Sequence, residues 1–180
     1  MMAAYAAAES GHAVTLLEQN EKLGKKLFIT GKGRCNLTNA SDMEQLFANV
    51  VSNRKFLYSA FYSYDNEQVI SFFESHGMPT KTERGNRVFP VSDHSSDVIA
   101  ALSAALREQH VEVFLHTKVK RLLLEKRDEE KRVTGVELAD HTKMHADAVI
   151  VATGGISYPS TGATGDGYRM AEESGHKMVS

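Results

Sequence analysis

An alanine-rich stretch, residues 1–10, leads through Gly11 into a short apolar run, 13–17, that ends on Glu18. A dinucleotide-binding unit has the order strand, glycine turn, helix, second strand and acid, and the acid accepts hydrogen bonds from ribose hydroxyls. The sequence therefore predicts the helix, the second strand and the acid of such a unit. Because the glycine turn normally lies about 20 residues before the acid, it would fall ahead of Met1, and we expect that half of the unit to be absent.

Composition limits the remaining classes of protein. A chain of 180 residues suits one domain, and no linker or repeat divides it, so we predict a single domain over 1–180. The net charge of −2 gives no general attraction to nucleic acid or anionic membranes, and no apolar run approaches the ~20 residues that span a bilayer. One cysteine excludes an internal disulfide and fits a reducing cytoplasm. We expect a cytoplasmic protein without a membrane partner.

Hydrophobic periodicity and turn residues predict the other elements. Helices are expected over 53–64, over 65–76 with a cap at Asp65 or Asn66, from Ser92 or Asp93 to 109, and over 166–174. Strands are expected on both sides of Gly85 within 80–91, and over 111–115, 119–125, 133–138, 141–145 and 147–152, with 125–132 as a solvated turn. Four aromatic residues are predicted to be core rather than a stacking platform: Phe56, Phe61, Phe72 and Phe73.

The run 147–152 has the continuous apolar character of a parallel strand buried on both faces, and it stops at Thr153, Gly154 and Gly155. Glycines at the carboxyl end of such a strand let the backbone approach a ligand, and ligands of open α/β sheets bind at that edge. We therefore predict that this edge and Glu18 contact one nucleotide. The alternative for Glu18 is an ordinary acid at the end of a strand.

The loop 31–39 is the densest polar stretch of the chain. Its glycines, amides and the guanidinium of Arg34 suit an anionic ligand, whereas the alternative is a polar surface loop. Cys35 has no second cysteine and no assignable base, so we do not expect it to be catalytic. His141 and His145 stand four apart in a predicted strand or turn, which does not make a metal site, and we expect no metal.

Several motifs, taken together, resemble one flavoprotein family, the BaiN/RdsA-type NAD(P)/FAD-dependent oxidoreductases, also called aminoacetone-oxidase-like. They occur in the right order and span nearly the whole chain: GKKL at 24–27, GRCNLTN at 33–39, RVFPVS at 87–92 and ATGGISYP at 152–159, extended by TG at 161–162 and TGDGY at 164–168.

The resemblance implies an α/β fold, an incomplete glutathione-reductase-like FAD-binding domain of Rossmann type. It would combine a parallel sheet with a three-stranded antiparallel meander over 119–145. By the same resemblance, Glu18 binds the adenosine ribose and Val119 meets the adenine through its backbone. The remaining residues implied in FAD binding lie along the flavin side or pass close to the cofactor: Lys26, Gly33, Arg34, Cys35, Asn36, Ala152, Thr153, Gly154 and Gly155. Hydride would move through the flavin N5, with NAD(P)H as a candidate electron donor.

The chain departs from the family at both ends. The family begins with a strand and a glycine-rich turn ahead of the position of Met1, and it continues beyond Ser180 into an inserted substrate domain and a C-terminal return. We therefore expect a fragment, a partial FAD-binding domain over 1–180, whose Met1 is an internal methionine of the intact protein.

Three interpretations stay open. The intact parent would be a FAD-dependent oxidoreductase, while the 180-residue chain alone would be a nucleotide-fold remnant that binds flavin weakly or not at all. An NAD-dependent dehydrogenase is the third, although it leaves the 33–39 loop without a role. The substrate stays undetermined, because the resemblance is compatible with small amines, steroid-like molecules or a uracil base in RNA, and the net charge neither supports nor excludes RNA.

Overall fold

The computed structural model describes residues 1–127 and 130–179, and of Arg127 and Glu130 it describes only the backbone. The helices are α1 (Met2–Glu9), α2 (Lys25–Phe28), α3 (Met43–Ala48), α4 (Tyr58–Ser63), α5 (Asn66–Ser75), α6 (Ser95–Glu108) and α7 (Asp166–Glu173). The strands are β1 (Thr15–Leu17), β2 (Thr38–Asn39), β3 (Thr80–Glu83), β4 (Arg87–Pro90), β5 (Glu112–Phe114), β6 (Val119–Arg127), β7 (Glu130–Leu138) and β8 (Lys143–His145).

The chain divides into two compact units. Unit 1 combines Met1–Lys26 with Gln109–Ser180, and unit 2 is Leu27–Glu108. The sequence shows no linker at either boundary, which is why it predicted a single domain. That both units belong to one FAD-binding domain stays a prediction, and each unit is described below by itself.

Unit 1 contains a parallel pair of strands, β1 and β5, in which Leu16 lies opposite Val113. The predicted strand over 147–152 is wrong, since this segment is extended chain without a ladder. In the described residues no strand pairs with it, and most of its apolar side chains are exposed, with Ile150 64% exposed and Val149 half-buried. A parallel strand forms only beside a hydrogen-bonding neighbour, so apolar character alone did not suffice.

The antiparallel meander β6–β7–β8 is confirmed and is longer than predicted. Residues 125–127 continue β6 and residues 130–132 belong to β7, so most of the predicted charged turn is strand; Asp128 and Glu129 lie outside the described residues. Gly135 lies in β7 opposite His145 of β8 and has a φ of 146°. A β-carbon there would lie 2.0 Å from the carbonyl oxygen of Met144, so the close approach of the two strands requires glycine.

Unit 2 holds most of the buried apolar residues. Helices α5 and α6 pack together and against the antiparallel sheet β2–β4–β3, whose β3–β4 hairpin through Gly85 was predicted. The core residues of this unit include Phe72, Phe73, Val88, Phe89, Val98, Leu102 and Leu106. The prediction for Phe72 and Phe73 is therefore confirmed, whereas Phe56 is 85% exposed and its assignment to the core is wrong.

Helix caps show where side-chain competition decides local structure. Asp65 caps α5 as predicted, in a reciprocal capping box with Gln68. The predicted cap of α6 by Ser92 or Asp93 is wrong, because the helix begins at Ser95. The carboxylate of Asp93 instead accepts hydrogen bonds from Arg34 and Lys81. The φ of 59° at Asp93 also differs from the extended backbone conformation that is usual for a capping residue.

Candidate nucleotide-binding site

Glu18 ends β1 in a defined orientation. Its backbone N–H donates to the carbonyl oxygen of Phe114 at 2.9 Å, which continues the pairing with β5. Its Oε1 accepts from the backbone N–H of Asn20 at 2.8 Å and from the Asn20 Nδ2 at 2.7 Å. Within the described residues these are its side-chain hydrogen bonds, so Oε2 retains lone pairs for a further donor such as a ribose hydroxyl.

The start of α1 lies close to the same carboxylate. Burial lowers the pKa of the Met1 amino group, and the charge of Glu18 acts on it in the opposite direction. The amino end of an eight-residue helix and the carboxyl end of β1 are therefore within electrostatic reach of each other. Backbone N–H groups at a helix start favour anions in general, and whether those of α1 face a phosphate stays a prediction.

The glycine loop after residue 152 rests on the start of α7. Ala152 and Thr153 are exposed, and Gly154 has a φ of 74°. The carbonyl oxygen of Gly155 accepts from the N–H of Gly165 at 3.1 Å. The loop is thus held in place by hydrogen bonding and close packing although it does not follow a strand.

Two amide side chains connect the end of β1 to the segment that follows this loop. Gln19 donates through Nε2 to the carbonyl oxygen of Gly162 at 2.8 Å, and Asn20 donates through Nδ2 to the carbonyl oxygen of Thr161 at 3.1 Å. A β-carbon at Gly162 would lie 2.8 Å from both amide nitrogens. Both nitrogens end flexible side chains that can move aside, so it is the φ of 95° at Gly162 that favours glycine where the two segments meet.

A second contact completes the connection. A β-carbon at Gly154 would lie 3.8 Å from the β-carbon of Ala163, which directly follows Gly162. Glu18 and Gly154 are consequently joined in unit 1 by a series of contacts that runs through Asn20, Thr161 and Ala163. That one nucleotide reaches both stays a prediction.

Lys26 and Val119 also lie in unit 1. The ammonium group of Lys26 donates to the Ser157 carbonyl oxygen at 2.7 Å and lies 4.5 Å from the centre of the Tyr158 ring. It is thereby attached to the segment that follows the glycine loop. Val119 is half-buried at the start of β6, opposite Leu138. Their roles toward a cofactor stay predictions.

Arg34 belongs to unit 2, where two carboxylates already engage its guanidinium. Nη2 lies 2.5 Å from both Glu83 Oε1 and Asp93 Oδ1, and Lys81 lies 2.7 Å from Asp93 Oδ2. The guanidinium also stacks 4.2 Å above the Phe89 ring. Hydrogen bonds from these cations hold the pKa of Glu83 and of Asp93 below their ordinary values. An anionic ligand would have to compete with both carboxylates for Arg34.

The other predicted residues of unit 2 occupy a loop of left-handed conformations. Cys35 has a φ of 56° and is 6% exposed, and burial raises the pKa of its thiol. A buried thiol with a raised pKa is a poor nucleophile at neutral pH, in line with a structural role. Gly33 has a φ of 86° and Asn36 is exposed.

The structure thus divides the predicted site residues between the two units: Glu18, Lys26, Val119, Ala152, Thr153, Gly154 and Gly155 in unit 1, and Gly33, Arg34, Cys35 and Asn36 in unit 2. Sequence reasoning missed Gln19 and Asn20, although amides directly after a strand-end acid are a readable signal. It also missed the partners of Arg34, because Glu83 and Asp93 are 49 and 59 residues away in the chain.

Across residues 1–127 and 130–179, no three His, Cys, Asp or Glu side chains are grouped so that they could hold a metal ion. The same residues contain no helix whose length and apolar character would let it cross a membrane.

A parallel strand pair that ends on an acid and follows a helix is typical of a Rossmann-type fold. Residues 1–180 match the family described as the HI0933-like protein Rossmann domain, and the chain belongs to this family. The fold class predicted from the sequence is confirmed.

Curated relatives carry two different names. The chain is 36% identical over 180 residues to the 3-dehydro-bile acid delta(4,6)-reductase of Clostridium scindens, covering 99% of this chain and 42% of that protein. It is 28% identical over 173 residues to the ribosomal RNA dihydrouridine synthase of Haemophilus influenzae, covering 96% and 42%. The synthase of Escherichia coli is 27% identical over 174 residues, covering 96% and 41%. The chain therefore spans less than half the length of these relatives.

A solved structure supports the fold alone. The crystal structure of Thermovibrio ammonificans THI4 superimposes with a TM-score of 0.60 at 15% identity, covering 98% of this chain and 58% of that one.

Proposed function

We propose that this chain supplies the adenosine-binding part of a FAD-dependent oxidoreductase. The observation that carries the proposal is the contact set that joins Glu18 to the glycine loop through Asn20 and Gly162. It would offer one carboxylate for ribose hydroxyls and one exposed glycine backbone, and these groups suit an adenosine nucleotide by their chemistry.

Each residue of this edge has a definite task. Asn20 holds one oxygen of Glu18, which leaves the other directed to a ribose hydroxyl. The negative charge of Glu18 disfavours the additional phosphate of an NADP-type ribose. The start of α1 favours the first phosphate by its N–H groups. The backbone of Gly154 lets the remainder of the cofactor pass without a side chain in the way.

The protein would act in the reducing cytoplasm, in agreement with its single cysteine. When bound and reduced by NAD(P)H, FAD supplies a hydride at N5. Lys26 is held beside the glycine loop, where its positive charge would stabilise a reduced, anionic group.

The names of two relatives point to one reaction class. A delta(4,6)-reductase acts on a 3-dehydro-bile acid, and a dihydrouridine synthase forms a uracil ring without its carbon–carbon double bond. Both names describe addition of two hydrogens across a double bond conjugated to a carbonyl. We therefore propose that the intact protein adds a hydride to one carbon of this double bond and a proton to the other. NAD(P)H would supply the electrons by reducing the flavin.

The test uses the longest open reading frame that contains this chain. We expect the purified product to be yellow and to release FAD stoichiometrically on denaturation. The matched variants are Glu18→Gln, which should lose FAD, and Glu21→Gln, an acid that forms an ion pair with Lys25, which should retain it. A product that binds NAD stoichiometrically but does not bind FAD would favour the NAD-dependent dehydrogenase over the FAD-dependent oxidoreductase.

A separate expectation concerns the 180-residue chain alone, which we propose to be a nucleotide-fold remnant with no tight flavin binding. Gel filtration of this chain with FAD should separate the yellow ligand from the protein. A flavin absorbance band that stays with the protein would contradict this expectation while leaving the first proposal in place.

A further inference from the structure

Tyr158 occupies an unusual backbone position in the segment that follows the glycine loop of unit 1. Its φ of 57° and ψ of 67° lie in the left-handed region, which is uncommon for a bulky side chain. The carbonyl oxygen of Tyr158 accepts from the backbone N–H of Thr161 at 2.9 Å and from the Thr161 Oγ1 at 2.7 Å. Because Thr161 is 9% exposed, these two bonds hold the backbone of Tyr158 from its buried side.

The ring of Tyr158 is held by a cation. The ammonium group of Lys26 lies 4.5 Å from the ring centre, and it also donates to the Ser157 carbonyl oxygen at 2.7 Å and to the Ser157 Oγ at 3.1 Å. One face of the ring is thereby covered, although Tyr158 as a whole is 65% exposed. Within the described part of the chain the phenol hydroxyl makes no hydrogen bond, so it is available to another molecule.

The strained backbone and the exposed phenol together indicate a functional side chain. Glycine or asparagine would adopt the left-handed conformation at a lower cost. The two hydrogen bonds from Thr161 use only the carbonyl group of Tyr158, so they do not require a phenol. Residues in sparsely populated backbone conformations cluster at active sites and ligand clamps. The position of Tyr158 therefore points to a task for its hydroxyl group.

The reaction class put forward above requires a proton donor that has not been named. A hydride on one carbon of a conjugated double bond must be followed by a proton on the other, and a positioned side chain supplies this proton faster than water does. Thr153 and Ser157 carry alkyl hydroxyl groups, which are much weaker acids than a phenol. The N–H groups of Lys26 already donate to Ser157. Tyr158 is the better acid of this segment.

We propose that Tyr158 delivers this proton, an inference that rests on the proposed function. The hydride brings two electrons from the reduced flavin and forms a C–H bond at the carbon remote from the carbonyl. The electron pair of the double bond moves toward the carbonyl and gives an enolate. The carbon next to the carbonyl takes the proton of the Tyr158 hydroxyl, and water then returns a proton to the phenolate. Lys26 places its positive charge beside the ring on which this negative charge forms.

The test uses the product of the longest open reading frame and measures the two halves of the reaction separately. The enzyme is reduced by NAD(P)H without oxygen and then mixed with cyclohexenone or a steroid enone, while flavin absorbance is followed. Tyr158→Phe keeps the ring and loses the proton. We expect this variant to bind FAD and to be reduced like wild type, but to be reoxidised by the enone at least about 100-fold more slowly.

Three controls separate proton delivery from a structural role. Reoxidation by dioxygen forms no C–H bond, so its rate should be the same for Tyr158→Phe and wild type. Tyr62→Phe removes the hydroxyl of a tyrosine of unit 2 that is 70% exposed, and it should behave as wild type with both oxidants. A readout without flavin is the urea midpoint of the 180-residue chain, which Tyr158→Phe should leave unchanged because the hydroxyl has no partner within the described residues.

Equal reoxidation of Tyr158→Phe and wild type by the enone would overturn the inference and leave the proposed function in place. A lower urea midpoint, or an equal loss of rate with dioxygen, would assign the hydroxyl a structural role and would also overturn it. So would a loss seen only in Tyr168→Phe, whose hydroxyl oxygen would lie 3.3 Å from a β-carbon at Gly155. If neither enone reoxidises the reduced wild type, the proposed reaction class fails and the inference falls with it.

Discussion

Glu18 and Glu137, both in unit 1, differ in their surroundings, and this difference suits them to different roles. Glu18 is held by a single neighbouring residue and keeps an oxygen for a ligand. Glu137 is 3% exposed in the meander and is surrounded by Arg121, Lys120 and His141. The first carboxylate therefore suits binding, and the second maintains the local structure.

Replacing Glu18 by Gln tests the binding role with little change in structure. The Gln carbonyl oxygen can still accept both bonds from Asn20, but the charge and the second acceptor are lost. We expect the 180-residue chain to bind ADP about tenfold more weakly, since a hydrogen bond to a charged group is replaced. Equilibrium dialysis measures the affinity, and Glu21→Gln should behave as wild type. Equal affinities for Glu18→Gln and wild type would show that Glu18 does not contact the nucleotide.

Glu137 predicts an acid dependence of stability. Hydrogen bonds from Arg121, foremost, and from Lys120 and His141 lower the pKa of Glu137 from 4.5 to about 2. A carboxylate whose pKa is lowered by folding stabilises the protein fully above pH 4.5 and loses this contribution as the pH falls towards 2. The urea midpoint of wild type should therefore decrease over this range more than that of Glu137→Gln.

Glu125→Gln, an exposed substitution on β6, serves as the control for this titration. Its urea midpoint should follow that of wild type between pH 4.5 and 2. If Glu137→Gln shows the same acid dependence as wild type, then the ion cluster contributes no stability.

At the level of elements, the sequence predicted a helix cap or a turn correctly where the interacting residues are close together in the chain. The capping box of α5 joins Asp65 to a residue three positions away, and the β3–β4 hairpin closes through Gly85. Two expectations that depend on distant residues failed. Asp93 was expected to cap α6 but binds Arg34, and 147–152 forms no strand although it is apolar.

The site shows the same division. Glu18 and the glycines of 154–155 were predicted as site residues from their own sequence context. The amide contacts that join them cross more than 140 residues, from Asn20 to Thr161 and from Gln19 to Gly162. No local pattern encodes such a contact, because it depends on how the whole of unit 1 packs.

The cap of α5 gives a quantitative prediction. Asp65→Ala removes the acceptor for the Gln68 N–H at 2.7 Å and should lower the free energy of unfolding by about 1 kcal/mol. Asp65→Asn keeps a side-chain acceptor and should be nearly neutral. Urea denaturation at neutral pH measures both. An equal loss for Ala and Asn would indicate that charge, and not capping, is responsible.

The close approach of β7 and β8 at Gly135 gives a second prediction at this level. Gly135→Ala would place a methyl group 2.0 Å from the Met144 oxygen, so the strands must separate. We expect a loss of at least about 2 kcal/mol in the free energy of unfolding. Gly85→Ala also places a side chain at a positive φ, but its 77° lies in the left-handed region, which costs less than the 146° of Gly135, and the space around it is open, so it should cost about 1 kcal/mol. Equal losses would show that the loss of stability comes from the backbone conformation and not from the close approach of the two strands.

At the level of the whole molecule, unit 1 contains well-paired and unpaired segments side by side. The ladder β6–β7 has eight paired positions, whereas 147–152 has none among the described residues. Amide hydrogen exchange should therefore be fast at Ile150 and Val151 and slow in the centre of the meander, at Leu122 and Val136. Equal protection of both regions would mean that 147–152 is paired in solution.

The central claim is that one nucleotide contacts both the acid at the end of β1 and the glycine loop. The most direct test is amide NMR of the labelled 180-residue chain titrated with ADP, which detects weak binding residue by residue. We predict saturable shifts at Glu18 and Asn20, at Val119, and at Gly154 and Gly155, all with one dissociation constant. Shifts confined to one of these segments, or located only in unit 2, would contradict the account.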